Sequence, residues 1–83
     1  MSNYKPVVVE LLLESLGTTC PGCNTPFTLS KPPSIDHRLP LSRGGKTILG
    51  NLWLLCFSCN HAKDNRTVEE WARDDPIPFD EHR

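Results

Sequence analysis

Apolar residues fall into short groups along the chain, each closed by a glycine, a proline or a polar run. The first group is Val7, Val8, Leu11, Leu12 and Leu16. Its three- and four-residue spacing predicts a helix over Pro6–Leu16, with Pro6 in the first turn and Gly17 as the stop. Val7-Val8-Val9 also suits a short strand, since β-branched runs favour one. Thr18–Thr28 reads as a knuckle around Cys20-Pro-Gly-Cys23. Leu29–Pro33 reads as extended, because a residue before proline is pushed out of the helical region. Ser34–Leu39 predicts a strand, and Pro40–Gly50 a loop turned by Gly44-Gly45. Asn51–Leu55 predicts a second strand, apolar after Asn51 and therefore buried. A helix of about two turns runs from Cys59 to near Arg66. Thr67-Val-Glu-Glu70 is a capping box opening a last short helix through about Arg73, with Val68 and Trp71 on one face. Asp74–Arg83, with two prolines and several acids, reads as a weakly ordered tail.

A chain of 83 residues with eight prolines supports only a thin core, and such chains often need a metal or disulfides. The four cysteines come as two pairs of the same spacing, Cys20/Cys23 and Cys56/Cys59. Four thiolates hold one tetrahedral Zn2+ at about 2.3 Å. Two disulfides are the alternative, and they need an oxidising compartment. Nothing in the N-terminal apolar run points to one. Val7–Leu13 is interrupted by Glu10, closed by Glu14, followed by no small-residue cleavage site, and far too short to cross a membrane. Structural zinc is therefore the expectation, in a cytoplasmic setting.

The formal net charge is −1, which by itself argues against a nucleic-acid partner. The distribution changes that. Between residues 31 and 66, Lys31, Arg38, Arg43, Lys46, Lys63 and Arg66 stand against Asp36 and Asp64, a local +4, while the remainder carries −5. A phosphate-binding surface needs such a basic stretch, although an ordinary solvated mixture of charges gives as much.

The elements Asp36-His37, Gly44-Gly45, Asn51-Leu52, Cys56-x-x-Cys59-Asn60 and Lys63 follow in order, with His37, Asn51 and Asn60 separated by 13 and 8 residues. This pattern resembles the HNH endonuclease family over about residues 18–66. The third signature position is Asn60 and not His, an H-N-N variant. The resemblance implies a small α+β fold: a ββα-metal (His-Me finger) motif with a four-cysteine structural zinc and flanking short helices. It implies one nuclease domain over 1–83, with its core at 18–66, a helix at about 6–16, a short helix at about 67–73 and an acidic tail at 74–83. Short HNH proteins of this kind are typical of phages and bacteria.

Phosphodiester hydrolysis needs a base for water and a counter-charge for the phosphoryl oxygens. A neutral imidazole suits the first, and a hard divalent cation on oxygen ligands the second. The resemblance assigns His37 as general base, Asp36 and Asn60 to the catalytic metal, and Asn51 to tying down the loop so that a loop carbonyl orients the histidine. Mg2+ or Mn2+ is the metal such ligands favour, with Ni2+ and Zn2+ as alternatives. Neighbours on a strand face opposite ways, so Asp36 and His37 share a site only if the chain bends there. Taken alone, the pair is also what a surface turn would carry. His61 lies about 100° around a helix from Asn60, which disfavours it as a co-ligand. Lys63 and Asp64, three and four residues on, share the face of Asn60. That makes Lys63 a phosphate contact and Asp64 an extra or outer ligand, or leaves both on a solvated face. Arg38, Arg43 and Lys46 flank the base as DNA-backbone contacts. Trp53 and Trp71 suit core packing better than base stacking. The resemblance implies metal-dependent nicking or cleavage of DNA that leaves 5′-phosphate and 3′-hydroxyl ends, and the small size of the chain predicts weak sequence preference. The rivals are a zinc-ribbon module that binds DNA or protein without catalysis, and a catalytic subunit that works only with a larger partner.

Overall fold

The computed structural model describes residues 4–75. Helix α1 spans Tyr4–Leu16, two residues longer at its start than the apolar spacing predicts. It stops where Gly17, at φ +100°, turns left-handed and its N–H bonds Leu13 O at 3.0 Å. Strands β1 (Pro33–His37) and β2 (Leu52–Cys56) form an antiparallel pair, with Pro33 opposite Cys56 and His37 opposite Leu52. Helices α2 (Phe57–Lys63) and α3 (Val68–Asp74) complete the order. The long loop between the strands contains two 3-10 turns, Leu41–Arg43 and Leu49–Asn51.

Strand β2 is the centre of the molecule, and all five of its residues are buried. The cause is a layer on each face. Leu52 and Leu54 pack with Leu12 of α1, joined by Val8, Val9, Leu13 and Ile35. Trp53, Leu55 and Cys56 pack the other way, with Cys20 of the knuckle and with Val68 and Trp71 of α3. A strand covered on both faces carries no alternation, which is why its sequence is one apolar run. Both tryptophans belong to this core, edge to face at 6.4 Å and 87°. Trp71 presses on the knuckle so closely that a Cβ at Gly22 would stand 2.6 Å from its ring and 2.8 Å from Cys59 Sγ. Only glycine fits there.

Several boundaries move. Leu29–Lys31 is a turn and not extended chain, because Thr28 and Lys31 exchange backbone hydrogen bonds and Thr28 Oγ1 also accepts from Lys31 N. Strand β1 ends at His37, since Leu39 N turns from the ladder to the Asn51 side chain. Asn51 closes a 3-10 turn instead of opening β2. Helix α2 begins at Phe57, directly after β2, and ends at Lys63. The capping box is present in both arms, Thr67 Oγ1 accepting from Glu70 N and Glu70 Oε1 from Thr67 N. The tail expected over Asp74–Arg83 lies, past Asp75, outside the described residues. No helix among those residues is long and apolar enough to cross a membrane.

Candidate functional site

The sulfurs of Cys20, Cys23, Cys56 and Cys59 converge, all within 4.8 Å of one another. Cys23 and Cys56 Sγ are 3.9 Å apart, against the roughly 3.8 Å that tetrahedral Zn–S bonds of about 2.3 Å require. The four share one point and none is paired in a disulfide. Backbone geometry aims them: Cys20 N bonds Thr25 O, Asn24 N bonds Cys20 O, and Asn24 takes a left-handed φ of 59° to close the knuckle. Cys56 N donates to Cys20 Sγ at 3.3 Å, as donors around a thiolate do. Without a cation two of the four resist ionising. Burial pushes the Cys20 thiol up, and burial together with the neighbouring sulfurs pushes Cys59 up strongly. Burial also acts against the Cys23 thiolate, but the hydrogen bond from Thr25 Oγ1 and the Cys20 thiol outweigh it and bring it down to about 6. The arrangement is positioned to hold a metal ion, and a thiolate donor set suits zinc.

Across the sheet, α2 docks on β1 through polar side chains. Asn60 Nδ2 donates to Ser34 Oγ at 3.0 Å and lies 3.5 Å from Ile35 O. One turn on, Lys63 Nζ reaches Asp36 Oδ2 at 3.1 Å and His37 O at 2.9 Å. Asp36 Oδ2 also accepts from Trp53 Nε1 at 2.8 Å. Asp36 and Asn60 thus lie along one seam, each with one oxygen, Oδ1, that accepts from no described residue. Carboxylate and amide oxygens are hard donors, of the kind that divalent cations such as Mg2+ prefer. Ser34, Trp53 and Lys63 hold this seam, and sequence reasoning gave none of them that part. The available signal was the pairing of polar Ser34 and Asp36 with a strand that is apolar throughout: polar groups on a covered face need partners.

His37 leaves β1 on the opposite side from Asp36, as strand neighbours do, and its Nε2 meets Thr47 Oγ1 at 2.9 Å. The expected carbonyl partner is thus replaced by a hydroxyl. The carbonyl of the preceding loop residue, Lys46 O, accepts instead from Asn51 Nδ2 at 2.9 Å. Asn51 in addition holds Leu39 at both ends, accepting from its N at 2.8 Å and donating to its O at 3.0 Å. One side chain therefore pins both sides of the loop. Gly45 permits this closure, because a Cβ there would stand 1.8 Å from Leu39 O.

The remaining expected site residues scatter. Lys63 is fully buried, so it cannot be a phosphate contact on a solvated face; α2 turns that face inward onto β1. Arg43 is committed to Glu70 through two bonds of 2.9 and 3.0 Å. Its carboxylate partner, with the Thr67 N–H, is thereby held down to about 2. The Arg38 guanidinium lies 4.7 Å over the Trp53 ring. Lys46 is exposed in the loop. His61 is exposed beside Phe57, rings 6.4 Å apart, and Asp64 leaves the helix at φ 55°. Neither forms a cluster of three or more His, Cys, Asp and Glu ligands, the cysteine quartet being the one such cluster among the described residues.

The sequence model of the HNH endonuclease family matches residues 20–66, which takes in both cysteine pairs, the seam and the loop. Among solved structures, the chain is similar to the Type II-C Cas9 enzyme from Actinomyces naeslundii, with a TM-score of 0.77 and 29% identity. The likeness covers 94% of this chain and 9% of that one, so the chain spans under a tenth of the enzyme's length. A search of curated proteins finds no match.

Proposed function

The chain belongs to the HNH endonuclease family, and from that premise we propose that it hydrolyses DNA phosphodiester bonds with His37 as the base. The observation that carries the reading is the docking of α2 on β1. It brings Asp36 and Asn60 onto one seam, each with an Oδ1 that accepts from no described residue, while His37 is the last residue of the same strand.

Asp36 and Asn60 would hold a divalent cation, Mg2+ or Mn2+ by the hardness of the donors, which when bound neutralises charge on the phosphoryl and leaving oxygens. Lys63 and Trp53 fix one carboxylate oxygen of Asp36 and so aim the other. His37 takes a proton from water as the water oxygen bonds to phosphorus. The P–O3′ bond then breaks, its electron pair going to the 3′ oxygen, which takes a proton from solvent. The products are a 5′-phosphate and a 3′-hydroxyl. The cysteine quartet carries a structural zinc and does not join the reaction. Exposed Lys46 supplies a DNA-backbone contact, while Arg38 lies over the Trp53 ring. A specific DNA interface covers on the order of 1,000 Å2, so a domain this small reads little sequence by itself, and a larger partner would supply the choice of target.

The test is relaxation of supercoiled plasmid by chelator-treated, zinc-reloaded protein, with Mg2+, Mn2+ or Ni2+ added back singly. Metal-dependent nicking that disappears in His37→Ala is the expected result. A folded, zinc-loaded protein that binds plasmid but cuts with none of these metals would make the domain a binding module.

A further inference from the structure

We propose that Thr47 is a positioning residue for His37: its hydroxyl accepts the Nε2 proton and leaves Nδ1 as the nitrogen that takes the proton from water. The proposal rests on the reading of His37 as the base. A neutral imidazole has one donor nitrogen and one acceptor nitrogen, and a partner on one nitrogen decides the state of the other. Here Nε2 is engaged by Thr47 Oγ1 at 2.9 Å, and Nδ1 has no partner among the described residues. Only Nδ1 is therefore open to a water. It can accept a proton only if the ring hydrogen sits on Nε2, and that hydrogen needs an acceptor.

Thr47 is placed to be that acceptor by the residue before it. Asn51 Nδ2 draws in Lys46 O at 2.9 Å, which occupies the neighbouring carbonyl and fixes the loop. The same asparagine ties Leu39, two residues beyond the histidine. The loop and the strand end are thus held to one another by one side chain, and the Thr47 hydroxyl closes the gap between them. The hydroxyl serves before and after transfer. When Nδ1 gains its proton, Nε2–H remains and still donates to the same oxygen. A carbonyl could only accept and would fix the tautomer outright. A hydroxyl can also donate to a bare Nε2, so the tautomer itself is what the experiment reads; removing the oxygen leaves Nε2–H without its acceptor.

The experiment is long-range 1H–15N correlation of the histidine side chains in zinc-loaded protein, with His37 assigned from His37→Ala. It is run on the native protein, Thr47→Val and Thr47→Ser, with plasmid nicking rates on the same samples. Expected are an Nε2–H tautomer in the native protein, a mixed ring in Thr47→Val, and return to Nε2–H in Thr47→Ser. The kcat should fall about tenfold in Thr47→Val, as loss of one hydrogen bond implies, with KM unchanged and recovery in Thr47→Ser. An Nδ1–H tautomer in the native protein, or a Thr47→Val ring and kcat like the native ones, overturns the proposal. Failure of the base reading shows separately, as a His37→Ala protein that still nicks, whereas the tautomer is read from spectra without any cutting.

Discussion

Lys63 is the residue whose part the sequence hid most completely. Its ammonium is fully buried and bonded to Asp36 Oδ2 and to His37 O. One cation thus ties together the residues proposed as ligand and base. Helical spacing correctly puts Lys63 on the side of Asn60, but spacing says which residues share a face, not which way the face looks. An apolar face would have been read as inward. Cys59, Asn60 and Lys63 make a polar one, and its inward direction depends on Ser34 and Asp36 across the seam. Removing one partner of a buried pair leaves the other charge unmatched, at a cost of about 3–5 kcal/mol. Lys63→Met should therefore lower the free energy of unfolding by about that much, measured by urea denaturation at fixed zinc. The Lys63→Met/Asp36→Asn double variant should recover part of the loss, since the stranded carboxylate is then neutral. A single variant within about 0.5 kcal/mol of the native protein would place Lys63 at the surface and sink this account.

Among elements, α3 shows what local sequence specifies and where it stops. The T-x-x-E signature gave its start, and both capping bonds are formed. Thr67→Ala should cost about 1 kcal/mol, the usual worth of such a cap, again by urea denaturation. Val68 and Trp71 share a face, as the spacing says, and that face closes over the cysteine knuckle. The signature could not reveal that Glu70 also grips Arg43 in the long loop. A contact between residues 27 apart leaves no periodic trace, so Arg43 read as a free DNA contact. The joint task of Glu70 gives a pH dependence of known sign. The Arg43 guanidinium and the Thr67 N–H hold its carboxyl down to about 2, from an ordinary 4.5. A carboxylate lowered on folding stabilises fully above its unfolded value and loses that effect as pH falls through its folded one. The gap in melting temperature between the native protein and Glu70→Gln should hold steady from neutral pH to about 5, then narrow toward pH 2. Both proteins also weaken in acid as the cluster thiolates protonate, so the reading is the difference between them. A gap unchanged at pH 3 would mean that Arg43 and Glu70 are not paired in solution.

At the scale of the whole molecule, the spacing of the two cysteine pairs gave the clamp, because ligand spacing is local to each pair and needs no knowledge of the fold. What it clamps was less legible. Cys20 and Cys56 lie in the same buried cluster as Trp53, Leu55, Val68 and Trp71, so the metal centre and the larger core are one structure. The second cluster, under α1, has only Leu12, Leu52 and Leu54 fully buried. That is too little apolar area to hold a chain this size alone. The metal-free quartet makes matters worse, since Cys59 resists ionising beside its neighbours and the four sulfurs then have no common partner. Binding free energy at such a site is folding free energy. Chelation should therefore abolish the near-ultraviolet circular dichroism of the Trp53–Trp71 pair together with cooperative melting, and one equivalent of Zn2+ should restore both. Cys56→Ala should reproduce the chelated state with zinc present. Adding Mg2+ to the chelated protein should restore neither signal, because thiolates discriminate against hard cations, and this separates the structural ion from the one proposed at Asp36 and Asn60. A chelated protein that kept its tryptophan signal and melted cooperatively would show that the two clusters suffice without the clamp.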